Sequence, residues 1–255
     1  MKAYIPSRSR LDRQITLQTF PGAHLCVHPN EYEAHRKRYG KNVLCIPDSV
    51  KGICRVRQWI LDQHDSRKHG PQMCMMDDDL RFYQRDGMKL VKLEDSDEML
   101  AVYEQALTHY AHAGISPREG NNRVPFNTLE CKRMMRVIGY NVDMVRKAKC
   151  EFHSERWFTM DDFDMTLKLL KKGLPNKVIY GYAQNQNTSG DKGGASDYRT
   201  VESHNRSAKA LAEAHAPFVK LVEKETKSAW KAFGGKRLDV IVSWVKAFES
   251  SRDIC

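Results

Sequence analysis

The chain lacks any apolar run approaching the ~20 residues that a membrane-spanning helix needs, because charged residues interrupt every such window. Its first residues, MKAYIPSRSR, contain no long apolar stretch typical of a secretory signal. The seven cysteines are scattered, odd in number and without C-x-x-C spacing, which excludes a zinc ribbon and argues against a disulfide framework. These absences predict a cytoplasmic protein that makes no membrane contact.

The 255 residues contain 41% hydrophobic residues, enough for one large α/β domain with a buried core. The net charge of +10 is unevenly spread: residues 1–70 carry +7, residues 71–120 carry −5 and residues 121–255 carry +8. An acidic segment within a basic chain suggests a metal site flanked by surfaces that attract polyanions such as nucleic acid. A solvated basic surface would account for the charge equally well.

Strand-like and helix-like segments alternate through the first third of the chain. The strands are predicted at Lys2–Pro6, Ala23–His28, Asn42–Ile46 and Met73–Met76. This alternation predicts an α/β fold with a mostly parallel sheet flanked by helices, and ligands bind such sheets at the carboxyl ends of the strands. Residues 1–175 would form the catalytic core. Residues 176–255 would complete the same domain with a glycine-rich mobile loop at 183–200 and a helical C-terminal extension, Ser203–Lys227 and Gly235–Glu249.

Three adjacent carboxylates, Asp77, Asp78 and Asp79, follow the apolar run that ends at Met76. Adjacent carboxylates repel one another unless they are solvated or bound to a cation. On a strand end Asp77 and Asp79 point the same way, so the pair could hold Mg²⁺ or Mn²⁺, which prefer oxygen ligands. The acidic first turn of a helix is the structural alternative.

Two further segments could carry chemistry. At the start of a predicted helix, Asp161 or Asp162 could act as a general base, or the acidic cluster could be ordinary helix capping. After the first strand, the guanidinium groups of Arg8 and Arg10 could contact a nucleotide base or a diphosphate, although surface arginines are common.

The C-terminal third offers weaker candidates. Either His204 or His215 could close over a metal, or be a histidine of the core or the surface. A segment with Gly193, Gly194 and Tyr198 could wrap a diphosphate or be a linker, and Trp157 could stack on a base or pack in the core.

Taken in order, these motifs resemble the nucleotide-sugar glycosyltransferases of the GT-A fold over roughly residues 2–175. The resemblance implies that Asp79 binds the metal that holds the donor diphosphate and that Asp77 lies near the ribose. It also implies that the second residue of the acid pair, Asp162, is the catalytic base, although the pair is Asp-Asp here where Glu-Asp is usual. The residues predicted to bind the donor are Pro6, Ser7, Arg8, Arg10, Arg55, Asp77 and Asp78.

Within that superfamily the chain looks like the phage TET-associated glycosyltransferases of DNA base hypermodification. This narrower resemblance rests on the sequence segments IPSRSR, GICRVRQWI, MMDDDLRFYQR, GISPREGNNR and GGASDYRT. The resemblance implies a UDP-sugar donor and an acceptor hydroxymethyl group on 5-hydroxymethylcytosine in DNA; it leaves the oligomeric state open. Two alternatives remain at this stage: a sugar nucleotidyltransferase and a nucleic-acid-binding protein without enzymatic activity.

Overall fold

The computed structural model describes residues 1–152, 159–186, 200–225 and 235–252. One half of its main sheet is parallel, with the strand order β3-β2-β1-β4. These four strands are short and mostly buried, and a helix or loop crossover joins each to the next. They are β1 (Lys2–Pro6), β2 (His24–Val27), β3 (Val43–Cys45) and β4 (Gln72–Met76).

The other half of the main sheet continues from β4 in the order β9-β7-β10-β5-β6, with β8 also paired to β10. Most of these pairs are antiparallel. Nevertheless, seven of the ten strands run in the same direction, and only β5, β8 and β9 run in the opposite one. The mostly parallel sheet is therefore confirmed. The strands of this half are β5 (Leu80–Asp86), β6 (Lys89–Lys92), β7 (His112–Pro117), β8 (Thr128–Glu130), β9 (Val137–Asn141) and β10 (Asn176–Gln186).

Helices cover both faces of the sheet, and each face has its own hydrophobic cluster. One cluster joins β4 and β9 to α3, α7 and α8, and the other joins the opposite face to α1 and α5. None of the helices within the described ranges is long and apolar enough to cross a membrane. The helices are α1 (Ile15–Thr19), α2 (Pro29–Tyr39), α3 (Ile53–Gln63), α4 (Ser66–His69), α5 (Ser96–Ala106), α6 (Val142–Lys147), α7 (Asp161–Lys171), α8 (Val201–Ala214) and α9 (Trp244–Glu249).

The C-terminal part differs from the predicted pair of long helices. After α8 the chain forms an antiparallel hairpin of β11 (Val219–Glu225) and β12 (Lys236–Val242), which packs on α8, and only then the short α9. Pro217 follows the end of α8, and a proline cannot donate the hydrogen bond that a continuing helix needs. Val219 and Val240 are buried whereas Lys220 and Ile241 are exposed, which is the two-residue period of a strand.

The chain direction gathers three segments at one edge of the sheet. Because β1, β4 and β10 point the same way, their carboxyl ends meet there. Pro6, Asp77 and Gln186 lie at these ends. This is the edge at which the sequence predicts a ligand site.

Candidate active site

The backbone of the aspartate triplet is held by a threonine from α1. Thr16, which is fully buried, donates its hydroxyl to the Asp77 carbonyl at 2.6 Å and its amide to the Asp78 carbonyl at 3.1 Å. The same hydroxyl accepts the Leu80 amide at 3.0 Å. Thr16 thus satisfies three backbone groups of the turn that joins β4 to β5, two with its hydroxyl and one with its amide, which fixes the direction of the three carboxylates.

Asp78 is bound by the loop that follows β1. Ser7 donates its hydroxyl to Asp78 Oδ2 at 2.6 Å, and Arg10 pairs with Asp78 Oδ1. Gln14 in turn donates to the Ser7 hydroxyl at 2.6 Å. Asp78 and Arg10 are both buried, so this ion pair is a structural tie between the first loop and the triplet. Ser7, Arg10 and Asp78, which the sequence predicts to bind the donor, contact one another here.

Asp79 accepts hydrogen bonds from two segments that meet at this edge of the sheet. Arg10 Nη1 lies 2.8 Å from its Oδ2, and Gln186 Nε2, at the end of β10, lies 3.0 and 2.9 Å from its two oxygens. Three of about four acceptor positions of this carboxylate are therefore used.

A largely buried arginine, Arg57, whose side chain is 12% exposed, joins the triplet to the acid pair of α7. The Arg57 guanidinium lies 2.6 Å from Asp161 Oδ2 through Nη1 and 3.2 Å from Asp77 Oδ1 through Nη2. Burial lowers the pKa of Arg57, but the attraction of Asp161 and Asp77 outweighs it, so the net pKa is raised. Burial raises the pKa of Asp77 to about 6, against the opposing effect of Arg57.

The acid pair opens α7, and its two carboxylates differ in their surroundings. The N-cap of α7 is Met160, with a left-handed φ of 69° and no side-chain cap, so the capping alternative fails for Asp161. Asp161 is buried and paired with Arg57, whereas Asp162 is half-buried and has its Oδ1 3.0 Å from the following amide. Burial and the neighbouring Asp161 raise the pKa of Asp162, while the positive charges of Arg57 and Arg133 oppose the shift.

A small cavity opens between the triplet and β9. Its wall includes Arg57 and Asp77 on one side and Arg136 and Tyr140 on the other. The Tyr140 hydroxyl is buried and forms no hydrogen bond with the described part of the chain. The remaining wall consists of Pro6, Met75, Met76 and Ile138.

The other predicted site residues lie on several segments: Arg8 follows Ser7 in the loop after β1, and Arg55 lies on α3. Arg8 and Arg55 are exposed, and His204 is buried on α8. His215, also buried, has its Nε2 2.8 Å from Asp164 Oδ1, so the contact that the structure shows for it is with α7. The predictions for residues 157, 193, 194 and 198 lie outside the described residues.

The structure supplies only part of a metal site from protein groups. Among the described residues, no three His, Cys, Asp or Glu side chains are grouped so that they could hold an ion. Mg²⁺, however, is commonly bound by one or two carboxylates together with substrate phosphates. Asp79, with one acceptor position left, and the partly exposed Asp77 are oxygen donors that fit such a shared site.

Sequence reasoning missed Arg57, although a signal was present. Ile53, Val56 and Ile60 mark the apolar stripe of α3, and Arg57 occupies the same stripe, four residues after Ile53. A charge on a buried stripe needs a buried partner, which here is Asp161. Thr16 and Gln186 showed no comparable signal in the sequence, because their roles depend on hydrogen bonds to residues that are far away along the chain.

Comparison with solved structures shows which class of protein has this fold. The fold resembles that of S. aureus TarS 1-349 in complex with UDP-GlcNAc, with a TM-score of 0.54 and 15% identity over 84% of this chain and 66% of that chain. A TarS structure with UDP gives a TM-score of 0.51 and 13% identity over 84% and 65%. The chain thus spans slightly less than two thirds of the TarS chains. The fold class is therefore that of TarS.

The family follows from the sequence itself. Residues 1–194 match the family model of the TET-associated glycosyltransferases, and the chain belongs to that family. A search of curated proteins finds no match. The predicted fold class and family are therefore confirmed.

His215 permits a test between a metal-binding and a structural role. Replacing His215 with alanine is expected to lower the free energy of unfolding by about 1–3 kcal/mol, because the buried Asp164 loses a hydrogen-bond partner. Manganese affinity should stay unchanged. Chemical denaturation and calorimetric titration with Mn²⁺ measure the two effects, and His109→Ala, at an exposed histidine, is the control. A large loss of manganese affinity with unchanged stability would restore the metal-ligand prediction.

Proposed function

We propose that this protein transfers a sugar from a UDP-sugar to the hydroxymethyl group of a modified pyrimidine, 5-hydroxymethylcytosine, in DNA. Family membership supports glycosyl transfer, and the TarS structures with UDP-GlcNAc and UDP support a uridine nucleotide as the donor. The modified base comes from the resemblance of the sequence motifs. The charge of +10 agrees with a polyanionic acceptor, because neutralising phosphates provides affinity that is independent of base sequence.

The observation that carries the proposal is the bridge that Arg57 makes between Asp77 and Asp161. Asp77 belongs to the motif that would hold the donor, and Asp161 precedes the residue that would activate the acceptor. One guanidinium holds both carboxylates within 3.2 Å, so donor and acceptor groups would meet in one site. Such positioning is itself a large part of catalysis, because it makes the reaction effectively unimolecular.

The proposed reaction is a direct displacement at the anomeric carbon. The hydroxymethyl oxygen forms a bond to that carbon while the bond to the β-phosphate oxygen breaks, and UDP leaves with the electron pair. Asp162 accepts the proton of the hydroxymethyl group. Its raised pKa suits this role, because a base is most effective when its pKa approaches the working pH.

The donor would be held at the carboxyl ends of β1 and β4. Asp79, assisted by Asp77, would hold a Mn²⁺ or Mg²⁺ ion shared with the diphosphate, and such an ion neutralises the charge on the leaving group. The buried Arg10 keeps Asp78 and Asp79 in place. Asp161 keeps Arg57 in place, which leaves Asp162 as the carboxylate available for proton transfer.

The proposal is tested with the purified protein, Mn²⁺ and a panel of UDP-sugars. Oligonucleotides with 5-hydroxymethylcytosine or plain cytosine serve as acceptors, and mass spectrometry of the digested nucleosides is the measurement. We expect one sugar mass on the hydroxymethylated base and none on cytosine. Transfer to another acceptor only would contradict the DNA assignment. Release of pyrophosphate from a nucleoside triphosphate, without transfer, would indicate a nucleotidyltransferase.

A further inference from the structure

Residues 131–136, which we call the arginine loop, connect β8 to β9 and lead from the amino end of β10 to the active-site edge of the sheet. Its two ends, Cys131 and Arg136, have left-handed φ angles of 51° and 64°. Such angles cost a non-glycine residue free energy and persist only where the surrounding structure enforces them.

Three contacts hold the arginine loop in this conformation. Asn176 donates from Nδ2 to the Lys132 carbonyl at 2.6 Å and accepts the Lys132 amide on Oδ1 at 3.0 Å. At the other end, the Arg136 carbonyl accepts the Asp77 amide at 2.9 Å. The loop is therefore fastened to β10 at one end and to the aspartate triplet at the other.

The middle of the arginine loop is anchored by Met134. This side chain is 1% exposed and fills the space above Gly114 on β7, where an added Cβ would lie 2.8 Å from the Met134 Cγ. The glycine thus leaves room for the methionine. With its ends fastened and Met134 buried, the loop presents Arg133 from a rigid support.

Arg133 is exposed, and its guanidinium lies over the ring of Phe163, with its carbon 4.6 Å from the ring centroid. Phe163 directly follows Asp162, so this cation stands beside the proposed base. Within the described ranges, no carboxylate lies within ion-pair distance of Arg133. Desolvation of the guanidinium lowers the pKa of Arg133, although the negative charges of Asp162 and Asp239 favour the protonated form and oppose this shift.

We propose that Arg133 binds a phosphate of the nucleic-acid acceptor, beside the nucleotide whose hydroxymethyl group faces Asp162. This inference rests on the proposed function. A guanidinium can bind phosphate oxygens through two parallel hydrogen bonds, and phosphate contacts fix the register of a nucleic acid. Its place beside Asp162 assigns it to the acceptor side of the site, whereas Arg57 and Arg136 line the cavity at Asp77.

The test compares wild type with Arg133→Ala on modified DNA and on the free modified nucleoside, which has no phosphate. On DNA we expect the acceptor KM to rise at least tenfold and the slope of log KM against log salt to fall by about one unit, as for one lost phosphate contact. The donor KM should be unchanged, and so should turnover of the nucleoside at a pH above the acid limb, where Asp162 is deprotonated with or without Arg133. Arg67→Ala is the control, because α4 precedes β4 and lies at the opposite edge of the sheet.

The alternatives give different results. A raised donor KM would assign Arg133 to the donor diphosphate, and an equal loss on the nucleoside would make its role structural; either result overturns the inference. Arg133→Lys, which keeps the charge, should recover part of the affinity for DNA. If wild type transfers no sugar to DNA, the proposed function fails. Fluorescence anisotropy of labelled DNA then decides separately on Arg133: equal affinities and salt slopes for wild type and Arg133→Ala would overturn its assignment.

Discussion

Replacing Asp162 with asparagine is expected to reduce sugar transfer by about 10²–10⁴-fold, the usual contribution of a general base. Asparagine has nearly the same shape but cannot accept the proton of the attacking hydroxyl. Binding of UDP and the free energy of unfolding should change little, because Arg57 remains paired with Asp161 and Asp77. Single-turnover transfer, calorimetric titration with UDP and chemical denaturation measure the three quantities.

Asp143→Asn is the matched control for this variant. Asp143 lies in the first turn of α6, as Asp162 does in α7, but it is exposed. It should therefore retain full turnover. If Asp162→Asn also turned over normally, the proton would have to be accepted elsewhere, and the assignment of the base would be wrong.

The pH dependence gives the same prediction a second test. The base acts when deprotonated, so turnover should rise with pH through the pKa of Asp162. Burial raises that pKa above the ordinary aspartate value of 3.8, and the acid limb of kcat/KM should be displaced to higher pH accordingly. The residual activity of Asp162→Asn should lack this limb.

Replacing Arg57 with methionine is expected to abolish binding of the donor and to lower the free energy of unfolding at neutral pH by about 3–5 kcal/mol, as breaking a buried ion pair does. The change leaves Asp161 and Asp77 without their shared cation, and Asp161 is only 4% exposed. Chemical denaturation at pH 7 and calorimetric titration with UDP measure the two effects.

A double variant separates the structural effect from the catalytic one. Adding Asp161→Asn to Arg57→Met removes one unpaired charge, so part of the lost stability should return, whereas transfer should not. Arg67→Met, at an exposed arginine of α4, is the control and should behave as wild type. Unchanged stability in Arg57→Met would show that the bridge contributes little to the fold.

The sequence was sufficient for the features that depend on local order. Residues 73–76 are buried and apolar and are followed directly by Asp77. The strand and the triplet at its end could therefore be predicted from neighbouring residues in the sequence. The start of α7 at Asp161 was equally visible. The partners of these residues were not, because Arg57 lies 104 positions from Asp161 and only the folded chain brings the two together.

Two kinds of element escaped prediction for physical reasons. β7 and β9 are almost entirely buried, so neither shows the alternation that marks a strand with one solvent-exposed face, and neither is among the strands predicted from the sequence. The hairpin of β11 and β12 failed differently, because the predicted helix ran through Pro217.

Asp79 is held by Arg10 from near the start of the chain and by Gln186 from the end of β10. A nascent polypeptide therefore lacks part of this support until Gln186 has left the ribosome, and domains generally fold as units during synthesis. Shorter products of interrupted translation or proteolysis would contain the aspartate triplet but not the complete support of its last carboxylate.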